Sequence, residues 1–585
     1  MTSDQQESLS PKPVLKDTAS TLMAPVGSDS LDMQASEMPQ SGKPSVDSPV
    51  AEEPDPPGSG LKINTSFWAV IATLCFTSLL GSFENAVITT SMPYMIRDLG
   101  IGSNYVWITN GFFVASAAVQ PLFSQLADVF GRRRLTLVIV GTHTLGSGIC
   151  GGAKNGPMLL AGRAVQGIGS GGINMIIEVI ISDLVPLRQR GYFMSLVLLT
   201  YALGLGTGPL IGGSLAQNVG WRWVFWINLP IGGTSLGLLY LLLRVKDDKT
   251  TPLRDKIKNI DYIGNTLVIG STVSVLYALT LAGSSDPWGS WQVLVPLLIG
   301  MGGFISFVCF EGSRFCSLPV VPLRFFKDRT RAIIFANTLI TSILSYWMLY
   351  FRPVYFQAVL LSSSTWAGVQ MMPSTLGSLL VSAGSSAVLS WIGRYKIFHN
   401  AGFGILTLGL GLHALLDSHS SAVRWVMFQI LTGSGIGMVL NTLLPALQAG
   451  LPESDVAAAT GSWAFLRSFG NVWGVAIPMA VFNDRFAQLA GSITEDQVRR
   501  EFLGGHAYEQ GTRESLSLLG NVPRIQVISV FERSLQIVWL VSIAFSGFGF
   551  VFSLFENEIQ LRTKLESKYG LREEDKKRSD TGDCS

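Results

Sequence analysis

Three ionisable residues lie inside long apolar stretches, where a charge is costly. Glu84, Arg163 and Glu178 are each surrounded by apolar or small residues. Ionisable side chains within a membrane commonly serve transport or proton relay. A buried carboxylate can take up and release a proton when its surroundings change, because its proton affinity depends on burial and on nearby charges. These residues therefore predict proton binding within a membrane.

Polar residues in the same kind of segment are candidates for contact with a transported molecule. Arg352 stands in the string Tyr350-Phe-Arg-Pro-Val-Tyr355-Phe-Gln357, whose aromatic residues suit a substrate-lining helix. Its side chain could recognise an anionic group, or it could extend to the headgroups at the membrane surface. The predicted substrate cavity comprises Asn85, Gln166, Arg352, Tyr355, Gln357 and Asn471.

The composition indicates a membrane protein. Of the 585 residues, 48% are hydrophobic and 14% are charged, whereas a soluble chain of this length would carry more charge. The formal net charge of +2 gives no indication of nucleic-acid binding. The five cysteines are scattered, without C-x-x-C spacing, so neither a disulfide framework nor a metal site is expected.

A helix needs about 20 apolar residues to cross the hydrocarbon core of a bilayer. Fourteen stretches of the chain meet this requirement, and we number them as predicted spans 1 to 14. They lie near residues 67–90, 105–124, 135–152, 157–181, 192–215, 223–244, 261–283, 291–311, 332–358, 367–391, 398–416, 424–446, 461–482 and 534–555. Residues 1–64 are rich in Ser, Pro and charged residues, which predicts a disordered tail.

The distribution of lysine and arginine predicts the orientation. Basic residues are concentrated in alternate loops, including Arg132-Arg133-Arg134 and the runs at 244–258 and 314–331. Short cytoplasmic loops carry such an excess, so both termini are expected in the cytoplasm. The long segment 484–531 is then expected to face outward and to form short helices against the outer surface.

An internal repeat predicts the architecture. Gly131-Arg-Arg-Arg follows span 2 and Gly393-Arg-Tyr-Lys follows span 10, on the same predicted side. Transporters are often built from such repeats, with the substrate site between them. We therefore expect an all-α integral membrane fold with fourteen transmembrane helices, arranged as two six-helix bundles plus two inserted helices. The predicted units are a cytoplasmic tail at 1–64, a first bundle at 65–244, a linker with the inserted helices at 245–315, a second bundle at 316–556 and a charged cytoplasmic tail at 557–585.

Glu84 and Arg163 are expected at the same depth. They lie in antiparallel spans, and at about 1.5 Å per residue each is roughly 9 Å below the predicted outer surface. The two side chains could therefore meet. Two other interpretations remain open: Arg163 could be a structural tie to backbone carbonyls, and Glu178 could be a carboxylate that extends to the membrane interface.

Three glycines in span 5 predict a close helix contact. Gly204, Gly208 and Gly212 are four residues apart and share one helix face, so a neighbouring helix can approach closely. Pro209 removes one backbone donor and should loosen the helix. Glycine spacing alone is also compatible with an ordinary packing face.

Several of these strings resemble motifs of the major facilitator superfamily. The loop after span 2, Leu126-Ala-Asp-Val-Phe-Gly-Arg-Arg-Arg134, resembles its motif A, with Ser124 and Val129 in place of the usual glycine and arginine. Leu160-Ala-Gly-Arg-Ala-Val-Gln-Gly167 resembles motif B, and the span 5 glycines with Pro209 resemble the antiporter motif. In span 1, Glu84 stands where the fourteen-helix drug:proton antiporter branch has aspartate.

The resemblance implies a role for each set of residues. It implies proton coupling by Glu84, Arg163 and Glu178. It implies a conformational switch formed by Asp128, Gly131, Arg132, Arg133, Asp183, Gly204, Gly208, Pro209 and Gly212. Asp183 is expected to pair with the motif A arginines.

The resemblance extends to fungal efflux pumps and implies a proton antiporter that exports an amphipathic small molecule by alternating access. No cofactor is implied besides the proton gradient as energy source. The implied partners are the substrate, protons and the lipid bilayer, and the implied location is the plasma membrane, with the vacuolar membrane as an alternative. The chain is expected to act as a monomer.

Two other transport-related functions remain open. One is a proton-coupled importer of the same fold, for a siderophore or a nutrient. The other is a transport-inactive receptor, although the tail after residue 556 is short for a signalling tail. An enzyme is not expected, because the five histidines are dispersed and no pairing of a nucleophile with a base is evident.

Overall fold

The computed structural model describes residues 64–101, 106–243, 257, 260–282, 288–314, 316, 319–452 and 455–561. The predicted N-terminal tail, except Asn64, lies outside the described residues. Most of the linker before residue 260 and the chain beyond residue 561 also lie outside them.

Helices form the fold, and the described residues contain no β-strand. In chain order the helices are α1 Thr65–Leu99, α2 Val106–Ala118, α3 Gln120–Phe130, α4 Arg132–Gly151, α5 Gly156–Leu184, α6 Leu187–Asn218, α7 Arg222–Trp226, α8 Asn228–Leu242, α9 Tyr262–Leu281, α10 Trp291–Glu311, α11 Arg324–Lys327, α12 Arg329–Val354, α13 Ser364–Gln370, α14 Met372–Ile392, α15 Lys396–His413, α16 Ala422–Ala449, α17 Val456–Leu489, α18 Asp496–Phe502, α19 Ala507–Gln510, α20 Arg513–Ser517 and α21 Asn521–Leu554. A π-helical segment, Tyr355–Val359, extends α12. We call α1–α8 the N-terminal group, and α12–α17 with α21 the C-terminal group.

Many of these helices can cross a membrane. Among the described residues, ten helices are long and apolar enough, or eleven if α2 and α3, bent by 44°, form one span. The long helices α4, α6 and α15 are not among the ten. A multi-pass, all-helical membrane fold is therefore confirmed, and the count of fourteen spans stays a prediction.

Side-chain caps set the start of several helices. The Asn155 side chain accepts a hydrogen bond from the backbone N–H of Met158 at 2.9 Å and opens α5. Asp261 does the same for Gly264 at 2.8 Å and opens α9. Each cap satisfies a donor that the first turn of a helix leaves without a partner.

Glycines on α5 allow α2 to pack at backbone contact. A Cβ on Gly167 would overlap the carbonyl of Phe112, and a Cβ on Gly171 would overlap the carbonyl of Ser116. The two glycines are four residues apart and therefore lie on one face of α5. Only a residue without a side chain fits at this distance, as in other membrane helix pairs.

The C-terminal group contains the same arrangement. A Cβ on Gly433 of α16 would overlap the carbonyl of Ser374, and a Cβ on Gly437 would overlap the carbonyl of Ser378 on α14. The glycines are again four residues apart, and the helix pair occupies the equivalent place in the second set of helices. The packing of glycines against backbone carbonyls therefore occurs in both groups of helices.

Two glycine turns also repeat. Gly131 joins α3 to α4 with a φ of 86°, and Gly393 follows α14 with a φ of 74°. A positive φ is unfavourable for residues that carry a Cβ. Both strings therefore turn through a glycine with positive φ, although ψ differs, at 151° for Gly131 and 11° for Gly393.

The connection before the last helix is shorter than predicted. Helix α17 continues to Leu489 and α21 begins at Asn521, so both helices extend into the segment 484–531. Helices α18 to α20 lie between them. Helix α18 contributes Phe502 to a cluster of aromatic rings in which Phe486, Phe502 and Phe531 lie within 6.2 Å of one another, centroid to centroid.

The chain after α21 is anchored to the C-terminal group. Glu556 is buried, and its carboxylate lies 2.6 Å from Nδ1 of His399 and accepts a hydrogen bond from Asn337 at 2.9 Å. The hydroxyl of Tyr395 donates to the carbonyl of Asn557 at 2.6 Å. The first residues of the predicted tail therefore belong to the packed structure.

The close contact of α5 with α2 predicts that Gly171→Ala destabilises the protein. The added methyl overlaps the Ser116 carbonyl, and overpacking costs about 1–3 kcal/mol. We expect a lower melting temperature in detergent. The matched control is Gly270→Ala on α9, where a Cβ meets nothing within 4 Å; it should leave the melting temperature unchanged or raise it, because alanine favours helix. Equal effects at both positions would contradict this packing.

Candidate functional site

The carboxylate of Glu84 is bound by residues of two other helices. One oxygen, Oε1, lies 2.6 Å from Nη1 of Arg163, and the other, Oε2, accepts a hydrogen bond from the Asn228 amide. The Glu84 side chain has 0% exposure. The structure therefore brings together the two residues whose depths matched in the sequence, and adds Asn228 of α8.

Arg163 also binds backbone and side-chain oxygens. Its Nε donates to the carbonyl of Ile108 at 2.8 Å, and its Nη1 donates to Oε1 of Gln166 at 2.7 Å. The guanidinium lies 4.2 Å from the centroid of the Phe112 ring. Both interpretations of Arg163 thus hold together, since the side chain ties helices and pairs with a carboxylate.

This network has a chemical consequence for proton uptake. If Glu84 took up a proton, Arg163 would keep the neutral acceptors on Ile108 and Gln166. A cation that loses its counter-charge in an apolar site needs such acceptors. Gln166 is itself held by a hydrogen bond from its Nε2 to Ser147 at 2.7 Å. The arrangement can accept a proton without leaving the guanidinium unbound.

Glu178 forms the second ion pair of the interior, and it joins the two groups of helices. Its carboxylate lies 2.8 Å from Nη1 of Arg467 on α17. The side chain of Glu178 is 4% exposed and that of Arg467 is 22% exposed. Arg467 also lies over the Trp463 ring, 4.5 Å from its centroid. Glu178 therefore does not extend to the membrane interface.

The loop after α3 is organised by Arg132. Its Nη1 lies 2.7 Å from Asp128 and its Nε lies 2.7 Å from Asp183 at the end of α5. Gly131 supplies the turn, and Arg133 donates to the carbonyl of Tyr240 on α8. The expected pairing of Asp183 with a motif A arginine is present. We call the end of the helices that carries these residues the basic end.

Hydrogen bonds connect the two groups at the basic end. Arg190 donates to Oε1 of Gln448 on α16 at 2.7 Å. The Gln448 amide in turn donates to Ser182 at 3.0 Å and to Thr460 at 2.8 Å. Gln448 thereby links α5 and α6 to α16 and α17, and the basic end is closed.

A second contact between the groups joins α6 with α14 and α16. Ser195 of α6 donates to Ser386 of α14 at 3.3 Å and accepts from Asn441 of α16 at 3.2 Å. Arg188 donates to the carbonyls of Ser390 and Trp391 near the end of α14. A cation suits the carbonyl end of a helix.

One of the three span 5 glycines, Gly204, makes the expected close contact. A Cβ on Gly204 would overlap the hydroxyl of Ser82 on α1. Gly208 and Gly212 are also buried on α6. The helix continues without a break through Pro209, whose ring is outside the described residues.

A small pocket lies beside the Glu178–Arg467 pair, between α6, α16 and α17. Apolar side chains form most of its wall, and an indole, an amide and a guanidinium complete it. The lining residues are Met194, Leu198, Leu440, Asn441, Leu444, Pro445, Trp463 and Arg467. The lining has the chemistry of a site for a molecule with an apolar body and few polar groups, but in this structure the free space, about 20 Å³, is close to that of one water molecule.

Sequence reasoning missed this pocket. Its residues come from three helices that are remote in the chain, and most of them are ordinary apolar residues. The available signal was Trp463 with Arg467, four residues apart on one face of α17 and inside an apolar segment. That spacing placed a cation beside an aromatic ring.

Two residues of the predicted substrate cavity lie within the packed helices instead. Gln166 is engaged by Arg163 and Ser147, as described above. Arg352 is 5% exposed and donates to Ser374 and to Thr432, both at 2.6 Å. Its side chain is therefore held inside the C-terminal group, and the alternative that it reaches the membrane surface is wrong.

The other predicted cavity residues are scattered. The Tyr355 hydroxyl donates to the carbonyl of Asp417 at 3.0 Å. Gln357 is half-buried in the π-helical segment, and Asn471 is half-buried on α17, one turn beyond Arg467. The side chain of Asn85 lies outside the described residues. The structure does not bring this set together into one site.

The position of Arg132 predicts that its removal is strongly destabilising. Arg132→Gln removes the cation that lies 2.7 Å from the buried Asp183, and breaking one partner of a buried pair costs about 3–5 kcal/mol. The yield of folded protein and its melting temperature in detergent should fall. Asp183→Asn in the same chain should restore part of the loss. The neighbouring exposed Arg134 provides the control, Arg134→Gln. An equal loss for both arginines would exclude a specific role of this pair.

Comparison with known proteins identifies the family. The model of the Major Facilitator Superfamily matches residues 74–475. The chain is 44% identical over 510 residues to the MFS-type transporter TwmF of Talaromyces wortmannii, covering 87% of this chain and 93% of the relative. It is 42% identical over 513 residues to the MFS-type efflux transporter ffsH of Aspergillus flavipes, covering 88% of each. It is 40% identical over 539 residues to efflux pump FUS6 of Gibberella moniliformis, covering 92% and 95%.

Solved structures agree in fold. The proton:xylose symporter XylE, bound to 6-bromo-6-deoxy-D-glucose, matches with a TM-score of 0.54 at 13% identity, covering 86% of this chain and 98% of that one. The human organic anion transporter MFSD10 matches with a TM-score of 0.52 at 13% identity, covering 83% and 100%. Together with the family match, these findings show that the chain is a transporter of the major facilitator superfamily.

Proposed function

We propose that this transporter exports amphipathic small molecules in exchange for protons. The observation that carries the proposal is the buried carboxylate of Glu84, held by Arg163 among apolar helices. Such a carboxylate can bind a proton in one state of the transporter and release it in another. Export is favoured over import because relatives with 40–42% identity are named efflux pumps or efflux transporters.

The proposed membrane topology has fourteen spans. Eleven come from the apolar helices, with α2 and α3 counted as one, and α4, α6 and α15 supply the other three. The excess of basic residues in alternate loops supports cytoplasmic termini and a cytoplasmic basic end. On the resemblance to fungal efflux pumps, we place the protein in the plasma membrane as a monomer.

The proposed cycle opens and closes the basic end. In the present structure Glu178–Arg467 and Arg190–Gln448 join the two groups there. Opening toward the cytoplasm requires these contacts to break, and it then exposes the pocket between α6, α16 and α17. A substrate entering from that side would meet the Trp463 ring and the Asn441 amide. Closure would restore the pairs and release the substrate on the other side.

The pocket indicates the class of substrate. Five of its eight lining residues are leucine, proline or methionine. This lining favours a substrate with an apolar body. The guanidinium of Arg467 is already balanced by Glu178, so the pocket does not demand a charged substrate. A largely apolar molecule with hydrogen-bonding groups, such as a drug, a toxin or a fungal secondary metabolite, fits this lining.

The proposed proton site predicts the behaviour of Glu84→Gln. The amide keeps the shape of the side chain but does not titrate at physiological pH, so export driven by a proton gradient should fall to background. The measurement is the accumulation of a panel of fluorescent and toxic amphiphiles in pump-deficient yeast, with and without an uncoupler. Surface expression should be equal to that of the unmodified protein.

The control for this variant is Glu501→Gln on the exposed face of α18, which should export normally. Full export by Glu84→Gln would exclude Glu84 as the proton site. Increased accumulation by the unmodified protein, dependent on the proton gradient, would show import and overturn the proposed direction.

The proposed pocket predicts the effect of Leu198→Trp. The indole occupies the space between α6, α16 and α17 that a substrate would need when the basic end opens, so KM should rise several-fold or maximal transport should fall. The yield of folded protein is measured for both variants, because overpacking in the closed state is also destabilising. The matched control is the next residue, Leu199→Trp, because the Leu199 side chain is 48% exposed on the outside of α6. Equal transport by the two variants would show that the substrate binds elsewhere.

A further inference from the structure

The inserted pair of helices, α9 and α10, contacts both groups. An apolar cluster joins α9 to α2 and to α17 along the line where the N-terminal and C-terminal groups meet. Its buried members are Val114, Ala117, Val275, Leu276, Leu279 and Ala476. The pair therefore lies over one of the two seams between the groups, that of α2–α3 with α17.

The pair is bound to the N-terminal group by directional contacts. The side-chain oxygen of Gln125 on α3 accepts hydrogen bonds from the backbone N–H of Asp261 at 3.2 Å and from the Asn265 amide at 2.8 Å. Farther along, the rings of Trp107 and Tyr277 stack with centroids 5.2 Å apart. Hydrogen bonds require a fixed geometry, so these contacts define one position of α9 on α2–α3.

The described contacts with α17 are apolar and less directional. The Phe304 ring of α10 packs against Phe469 at 5.4 Å and against Phe465 at 6.5 Å, measured between centroids. Ring pairs have preferred orientations, as at Trp107 and Tyr277, but these contacts with α17 bury apolar area without a described hydrogen bond, and the burial of apolar area is not directional. This surface can therefore slide at small cost.

The covered seam contains polar groups that separate when the two groups move. The Ser124 hydroxyl donates to the carbonyl of Ala457 at 2.7 Å, and the Gln120 amide donates to Ser468 at 2.8 Å. Polar groups without partners are costly when exposed to lipid. A cover over this seam would keep acyl chains away from them while they are apart.

We propose that the inserted pair moves with the N-terminal group, slides over the Phe465–Phe469 face of α17, and seals this seam against lipid throughout the transport cycle. The inference rests on the proposed alternating movement of the two groups. Glu311 at the end of α10 accepts hydrogen bonds from the backbone of Val320 at 3.0 Å and Val321 at 3.4 Å. This contact holds α10 to the chain before α11. That chain pairs with the start of α17 through Arg324 and Asp455 at 2.8 Å, and the Arg324 side chain is exposed, so sliding of α17 requires this surface ion pair to open.

Two matched cross-links test the proposal. Trp107→Cys with Tyr277→Cys joins the pair to α2, and Phe304→Cys with Phe469→Cys joins it to α17, at similar starting distances. The parent chain has its five native cysteines replaced by alanine, and a short bifunctional thiol reagent with a reducible link is used. We expect the first cross-link to leave export intact and the second to abolish it until the link is reduced. The opposite pattern, or full export with both, would overturn the proposal.

Spin-label distances separate this inference from the proposed function. Labels at the exposed positions Val138 on α4, Ile305 on α10 and Leu380 on α14 are measured in pairs at acidic and alkaline pH. We expect the distance from Val138 to Leu380 to change, and Ile305 to keep its distance to Val138 while changing its distance to Leu380. If Val138 and Leu380 stay fixed, the alternating movement fails and the inference with it. If they move and Ile305 follows Leu380, the inference alone is wrong.

Discussion

The requirement that a charge inside an apolar bundle be compensated inside it, by an opposite charge or by hydrogen-bond acceptors, governs this structure. Glu84 with Arg163, Glu178 with Arg467, and Arg132 with Asp183 each satisfy it. A charge that lost its partner in such surroundings would be costly. The three pairs therefore restrict which helices can separate and under what protonation state they can do so.

The pairs differ in what they connect, and this difference assigns them to different tasks. Arg163 ties α5 to α1 and α2 within the N-terminal group, so its carboxylate can change protonation without separating the groups. Glu178 and Arg467 lie on opposite sides of the boundary between the groups, beside the pocket. In the proposed cycle, Glu84 of the first pair binds and releases the proton. The Glu178–Arg467 pair forms when the basic end closes and breaks when it opens.

Glycine packing allows each group to move as a body. The carbonyls of Phe112 and Ser116 lie against glycines of α5, and those of Ser374 and Ser378 lie against glycines of α16. Helices at backbone contact have little room to shift against each other. Movement is then confined to the boundaries between the groups. Serines, single amides and aromatic faces form contacts there, and Gly461 of α17 packs closely against Ser124 of α3. The inserted pair covers one such boundary.

The sequence alone determined the class of fold, because that depends on local properties. Each of these properties involves only a stretch of neighbouring residues: an apolar segment, a glycine turn or a motif string. Gly131 and Gly393 could be recognised as equivalent from the residues next to them. The contact of Glu84 with Arg163 was predictable from depth, because a transmembrane helix rises about 1.5 Å per residue and residue number therefore gives the depth in the bilayer. Tertiary structure decided the rest. Which face of a helix meets which partner depends on rotation about its axis, and this is why Gln166 and Arg352 lie inside the packed helices. It is also why a pocket built by Leu198, Asn441 and Trp463, from three helices remote in the chain, left only the spacing of Trp463 and Arg467 as a signal in the sequence.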